Sequence, residues 1–267
     1  MKIKSILFVS VTLFSAVLTI AHEYWIAPTK YIVNAKEPFG FNCYVGEDFK
    51  PQIWAKRSQR TLAVVKFHQA EKVDVTPSFI EKDSVNVMMT LNDEGNHLIA
   101  VQTKPSYIEM DGMAFNEYLK EDGMLEMLNY RVSNNLEKQR SRELYQRCGK
   151  SLLQVASKND ETFKLNTGMP LEIIPQTNPY EIANGLLPVY FEFKGKPLTN
   201  YQVRTWCKKD GKLIIKAFYS TNELGVAILP IKESGEWMIS LVKMELHKTS
   251  KKADYESYWG SYTFYKN

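Results

Sequence analysis

Histidine and cysteine are both scarce, with four and three residues in a chain of 267. Cys43, Cys148 and Cys207 are too few and too unevenly spaced for a disulfide framework, and no CxxC pair marks a zinc or redox site. One disulfide with one thiol left over is open, but the simpler expectation is three small buried apolar groups. Equally absent are GxSxG, HExxH, a Walker loop, GxGxxG and an EF-hand loop. Those absences exclude the common hydrolase, nucleotide-binding and calcium-binding designs, and the expectation is a protein that is not an enzyme. Charge of one sign is lacking too. The formal net charge is +4, of which Lys2 and Lys4 supply two. Lys248, Lys251 and Lys252 form the one short basic cluster, which reads as a solvated loop. Nucleic-acid binding needs a clustered basic face, so no nucleic-acid partner is expected.

Long apolar runs are missing as well, except at the start. Lys2 and Lys4 precede SILFVSVTLFSAVLTI, Ser5 to Ile20, and Ala21 supplies a small residue before a cut. That is the pattern of a secretory signal peptide over 1–21. The expectation is cleavage after Ala21 and a periplasmic or secreted chain that begins at His22. The run is short for a membrane span, which takes about 20 apolar residues.

What is there is mostly strand texture. YIVNAKEPFGFNCYVG, TLAVVKFHQ, SVNVMMTL and NHLIAVQT are apolar or alternating runs separated by Pro, Gly and Asn turns. The texture returns after Phe163, where GKPLTNYQV, TNELGVAILPI and SGEWMISLV have the rhythm of an Ig-like or transthyretin-like sandwich. Between them, residues 115 to 157 are rich in Leu, Glu, Lys, Arg and Gln. Leu144, Cys148, Leu152 and Val155 recur there at three- and four-residue steps, which predicts amphipathic helix broken near Gly123 and Ser133. Arg131, Arg140, Arg142, Glu143, Arg147 and Lys150 then read as its solvated face. The expected fold is mainly β. Two sandwich modules, 22–108 and 161–267, are joined by a helical connector at 109–160. The aromatic ending alternates, sending Tyr258, Tyr262 and Phe264 to one face and Trp259 and Tyr265 to the other. One face is expected in the core and the other under the helical segment.

His22 carries the sharpest chemical expectation. A chain starting there offers an α-amine and an imidazole from one residue, which close a chelate suited to borderline transition metals. The amine has an ordinary pKa near about 7.7–8.0, so a metal displaces its proton at modest cost. His97, after the turn NDEGN, is the expected second ligand. His68 and His247 are weaker candidates, and Glu23, Asp254 and Glu256 are available oxygen donors.

Four segments carry a family resemblance: HEYWIAP, SRELYQRCGKSLLQV, LEIIPQTNPYEIANGLLPVYFEFKGKPLTNYQV and DYESYWGSYTFY. Together they resemble a periplasmic domain family of unknown function associated with nickel and cobalt uptake. Its members include the NikK-like accessory component beside energy-coupling-factor-type nickel transporters. The resemblance implies a β-rich protein that binds Ni(II) or Co(II), with Cu(II) a third candidate, and presents it to membrane-embedded transporter components. By position, His22 matches the histidine that opens such chains and His97 follows the Gly-turn of the first module. Lys243-Met244 stands where many members read His-Met. Two other classes are a metal-free envelope module that binds proteins or glycans, and an oxidative copper enzyme.

Overall fold

A computed structural model describes residues 23–54, 57–82, 85–249 and 251–267. The first part holds β1 (Glu23–Pro28), β2 (Ile32–Val33), β3 (Pro38–Gly46), β4 (Gln52–Ile53), the one-turn α1 (Arg57–Arg60), β5 (Thr61–His68), β6 (Glu71–Asp74), β7 (Val87–Thr90), β8 (Gly95–Thr103) and β9 (Ser106–Met110). Helices α2 (Gly112–Glu121) and α3 (Leu125–Ser133) follow, and then β10 (Ser141–Val155). The remainder is β11 (Leu171–Pro175), β12 (Leu186–Phe193), β13 (Lys196–Pro197), β14 (Gln202–Lys209), β15 (Lys212–Ser220), β16 (Val226–Pro230), β17 (Gly235–Leu246) and β18 (Tyr255–Lys266).

These elements form three layers. A ten-stranded sheet, in the order β15-β14-β17-β18-β10-β8-β5-β6 with β2 and β9 also on β10, makes the central wall. Its parallel β10–β18 pairing runs from Glu143↔Tyr255 to Ser151↔Thr263. On one side lies the small sheet of β11, β12, β13 and β16. Leu171, Val189, Phe191 and Leu229 pack there against Cys148, Leu152, Tyr258, Tyr262 and Phe264 of the wall. On the other side sits the sheet of β1, β3, β4 and β7, where Tyr24, Ile26, Phe41 and Cys43 meet Ile99, Val101, Leu153 and Val155. Beside that sheet, α2 and α3 bury Phe115, Leu119 and Met127 against Val242, Tyr255 and Trp259. The mainly β, sandwich-like arrangement agrees with the expectation. So does the aromatic ending, whose two faces enter two different cores. All three cysteines are free and buried.

One segment differs. Residues 141–155 are not helix but the longest strand of the wall. Leu144, Cys148 and Leu152 are spaced by four, and a spacing of four satisfies a period of 2 as well as one of 3.6. Helix-forming side chains set only a weak preference, and pairing along both edges of β10 overrides it here. The helical part of the expected connector therefore ends at Ser133. The solvated-face reading falls with it: Arg131, Glu143, Arg147 and Lys150 are all buried, while Arg140 and Arg142 stay outside, paired with Glu109 and Asp254. Strands from before residue 109 and after residue 160 share the ten-stranded sheet through β10. Among the described residues no helix is long and apolar enough to cross a membrane.

β1 lies across β10 and β18 because the wall is thin there. A side chain at Gly149 would bring its Cβ to 2.8 Å from Cε1 of Tyr24, so the glycine seats the tyrosine ring. Thr263 Oγ1 donates to the Ile26 carbonyl at 2.8 Å beside it. Gly149→Val is expected to lower unfolding stability by roughly 1–3 kcal/mol through overpacking. Urea denaturation with an unchanged midpoint would show that Tyr24 does not rest on β10.

Candidate functional site

The head of β1 opens onto a buried polar layer between the wall and α2. Glu23 is the first described residue, and its carboxylate is 6% exposed beside Arg204 of β14. Arg204 Nη1 lies 3.0 Å from Glu23 Oε1 and 3.0 Å from Oδ1 of Asp122, the residue that ends α2. On β10, Glu143 accepts from the Tyr118 hydroxyl at 3.0 Å and from Ser257 Oγ, and Trp259 Nε1 donates to the same serine at 3.2 Å. Burial pushes Asp122 up to about 7 against the opposing pull of Arg204. Burial likewise pushes Glu143 up to about 7, with its two hydroxyl donors opposing. Two carboxyl groups of one layer thus titrate near neutrality, while Arg204 supplies a fixed positive charge.

Arg147 extends the layer along β10. Its guanidinium carbon sits over the rings of Tyr24, Trp54 and Tyr145, at 5.7, 5.2 and 4.9 Å. Such cation–π contacts take the place of a carboxylate partner. Its Nε and Nη1, Glu143 Oε2, Arg204 Nη2 and Ser261 Oγ are buried without a hydrogen-bond partner among the described residues. Buried polar groups are nearly always satisfied, by protein or by ordered solvent. These atoms gather on one face of the wall, beside the first strand. Carboxylates near their titration point can release protons when a cation arrives.

The residues expected from the sequence are dispersed. His22 lies outside the described residues. His97 stands on β8, fully buried, with Nε2 2.8 Å from the Asp93 carbonyl. Its ring stacks on His68 with centroids 4.1 Å apart and planes 10° apart. His68 Nδ1 in turn lies 2.9 Å from the Asn96 carbonyl and 3.8 Å from Asp160 Oδ2. Burial pushes His97 down to about 4, so it is neutral at neutral pH. The pair ties the turn before β8 to the loop that follows β10. His247 is elsewhere, 3.6 Å from Glu256, and Asp254 clamps Arg142. Lys243 pairs with Glu126, and Met244 packs under the helices. In the wall, β8 stands four strands from β14, about 19 Å at roughly 4.8 Å per strand. The structure therefore does not bring Glu23 and His97 together. Among the described residues no group of three or more His, Cys, Asp or Glu side chains could hold a metal ion. Asp122, Glu143, Arg147 and Arg204 went unrecognised in the sequence. The available signal was charge set within apolar strand text, as in QVRTWC.

The layered β architecture and its buried polar seam define a β-sandwich protein with an ionisable interior beside its first strand. Residues 20–245 match the model of the domain of unknown function DUF4198, and the chain belongs to that family. No curated protein matches it. Among solved structures, three N-terminal domains of the highly immunogenic outer capsid protein of bacteriophage RB49 share 10% identity. That alignment covers 91% of this chain and 59% of the other, with a TM-score of 0.20. Dimeric latent PorU from Porphyromonas gingivalis shares 9% identity over 88% of this chain and 19% of its own, with a TM-score of 0.21.

Because Asp122 and Glu143 hold their protons more tightly folded than unfolded, their contribution to stability is complete below the unfolded carboxylate range. It is lost as the pH rises through about 7. Wild-type protein is expected to lose stability between about pH 5 and 8 more steeply than Asp122→Asn/Glu143→Gln, by on the order of 1 kcal/mol per pH unit. Urea titrations of both proteins across that range provide the check, and parallel curves would refute the assignment.

Proposed function

We propose that the chain, cut after Ala21, is a periplasmic transition-metal-binding accessory protein of a nickel or cobalt uptake system. His22 would supply amine and imidazole, and a membrane transporter would receive the metal. One observation carries this reading: Glu23, the neighbour of His22, is buried with its carboxylate 3.0 Å from Arg204, which fixes where the start of the mature chain meets the fold. Nitrogen from His22 with carboxylate oxygen is a donor set for borderline divalent ions rather than soft ones. The buried cysteines, pushed well up by burial, do not compete. His97 is too far from Arg204 to serve the same ion as Glu23, so the reading rests on His22, with Glu23 as its neighbouring oxygen donor.

Titration calorimetry of Ni(II), Co(II) and Cu(II) into the chain starting at His22 tests the proposal. The control carries one extra alanine ahead of His22, which moves the free amine away. One-to-one binding of nickel or cobalt that weakens at least about tenfold, or about 1.4 kcal/mol, in the control is expected. No binding to either form would contradict it. That outcome would favour a metal-free envelope interaction module, for which the exposed Ile214 and Phe218 on edge strand β15 are the supporting feature.

A further inference from the structure

Lys150 and Glu172 are each 1% exposed and form an ion pair inside the main core. They come from different layers. Lys150 leaves β10 on the same face as Cys148 and Leu152, and Glu172 belongs to β11 of the small sheet. The lysine Nζ is held against β11 by the carbonyls of Ile173 at 3.2 Å and Leu165 at 3.3 Å. Glu172 uses its two oxygens differently. Oε1 accepts from Thr167 N at 3.0 Å, Thr167 Oγ1 at 2.8 Å and Met169 N at 2.8 Å. Oε2 faces the lysine ammonium and has no other donor.

An ion pair in a dry core is costly to maintain, because desolvation offsets most of the attraction. The surroundings favour a different end state. Three fixed donors on one carboxyl oxygen are what stabilises the oxyanion of a tetrahedral intermediate. A buried amine that loses its proton is a nucleophile, and burial pushes the Lys150 amine down, with Glu172 opposing. A third carboxylate, Glu192, stands directly across from Glu172 in the β11–β12 register and acts on Lys150 electrostatically. It can carry a proton between amine and leaving oxygen.

We propose that Lys150 and Glu172 join in an intramolecular isopeptide bond that ties the ten-stranded wall to the small sheet. The lone pair of Nζ attacks Cδ of Glu172, while Oε1 takes the negative charge under its three donors. The Nζ–Cδ bond forms and the Cδ–Oε2 bond breaks, its electrons leaving with Oε2. Of the three ammonium protons, one stays on the amide nitrogen and two depart on Oε2 as water, directly or through Glu192. Charge and atoms balance without any co-reactant. The inference is independent of the metal reading.

Intact mass and tryptic mapping of the purified chain test it. The bond removes one water, about 18 Da, from the sequence mass. It also blocks trypsin at Lys150, so residues 148–158 appear joined to residues 165–194. Lys150→Arg keeps the positive charge but cannot form this amide, and is expected to restore the full mass and a free 165–194 peptide. Wild-type protein with full mass and a free 165–194 peptide overturns the proposal.

Discussion

The parallel pairing of β10 with β18 is the constraint on which the other layers depend. Among the described residues it is the one strand pairing that joins the earlier part of the ten-stranded sheet to the run β15-β14-β17-β18. Small residues sit at its centre. Gly149 lets Tyr24 lie on one face, and a Cβ at Gly260 would come within 2.9 Å of Leu171 on the other. Both outer layers approach the wall where it is thinnest. A parallel pair needs a long crossover, and residues 156–254 between β10 and β18 supply the small sheet and three strands of the wall.

Buried charge is best tolerated where every group is met locally. Arg131 shows how: its guanidinium donates to Asn116, Ser141, Tyr255 and the carbonyls of Leu136 and Gln139. Those bonds lock the helical pair to the start of β10. An unmet buried donor costs roughly 1–3 kcal/mol, so a fully used arginine acts as a fixed fastener. The layer around Glu23, Glu143, Arg147 and Arg204 departs from that rule. Its several unpartnered atoms and its two carboxyl groups near neutrality distinguish it from the fully met Arg131.

The strands, the two-sided aromatic ending and the buried cysteines were legible in the sequence because each rests on local alternation. The nature of β10 was not. Its apolar residues are spaced by four, and its glutamate, arginines and lysine suit a solvated helix until both edges and both faces are known to be covered. The same ambiguity concealed the candidate site, since Glu143 and Arg147 belong to that strand. Asp122 and Arg204 become site residues only when α2 is placed over β14, a contact between positions 82 residues apart. His97 stands out in the sequence only by its place after a turn. The stacking on His68 that gives it a structural surrounding depends on pairing between β5 and β8.

Native-state hydrogen exchange on residues 141–155 tests the central claim most directly. Strand amides shared on both edges are released only by large-scale opening. The account predicts that amides of β10 and β18 are among the slowest in the protein and become exchangeable together. Early exchange of residues 141–155, independent of residues 255–266, would contradict it.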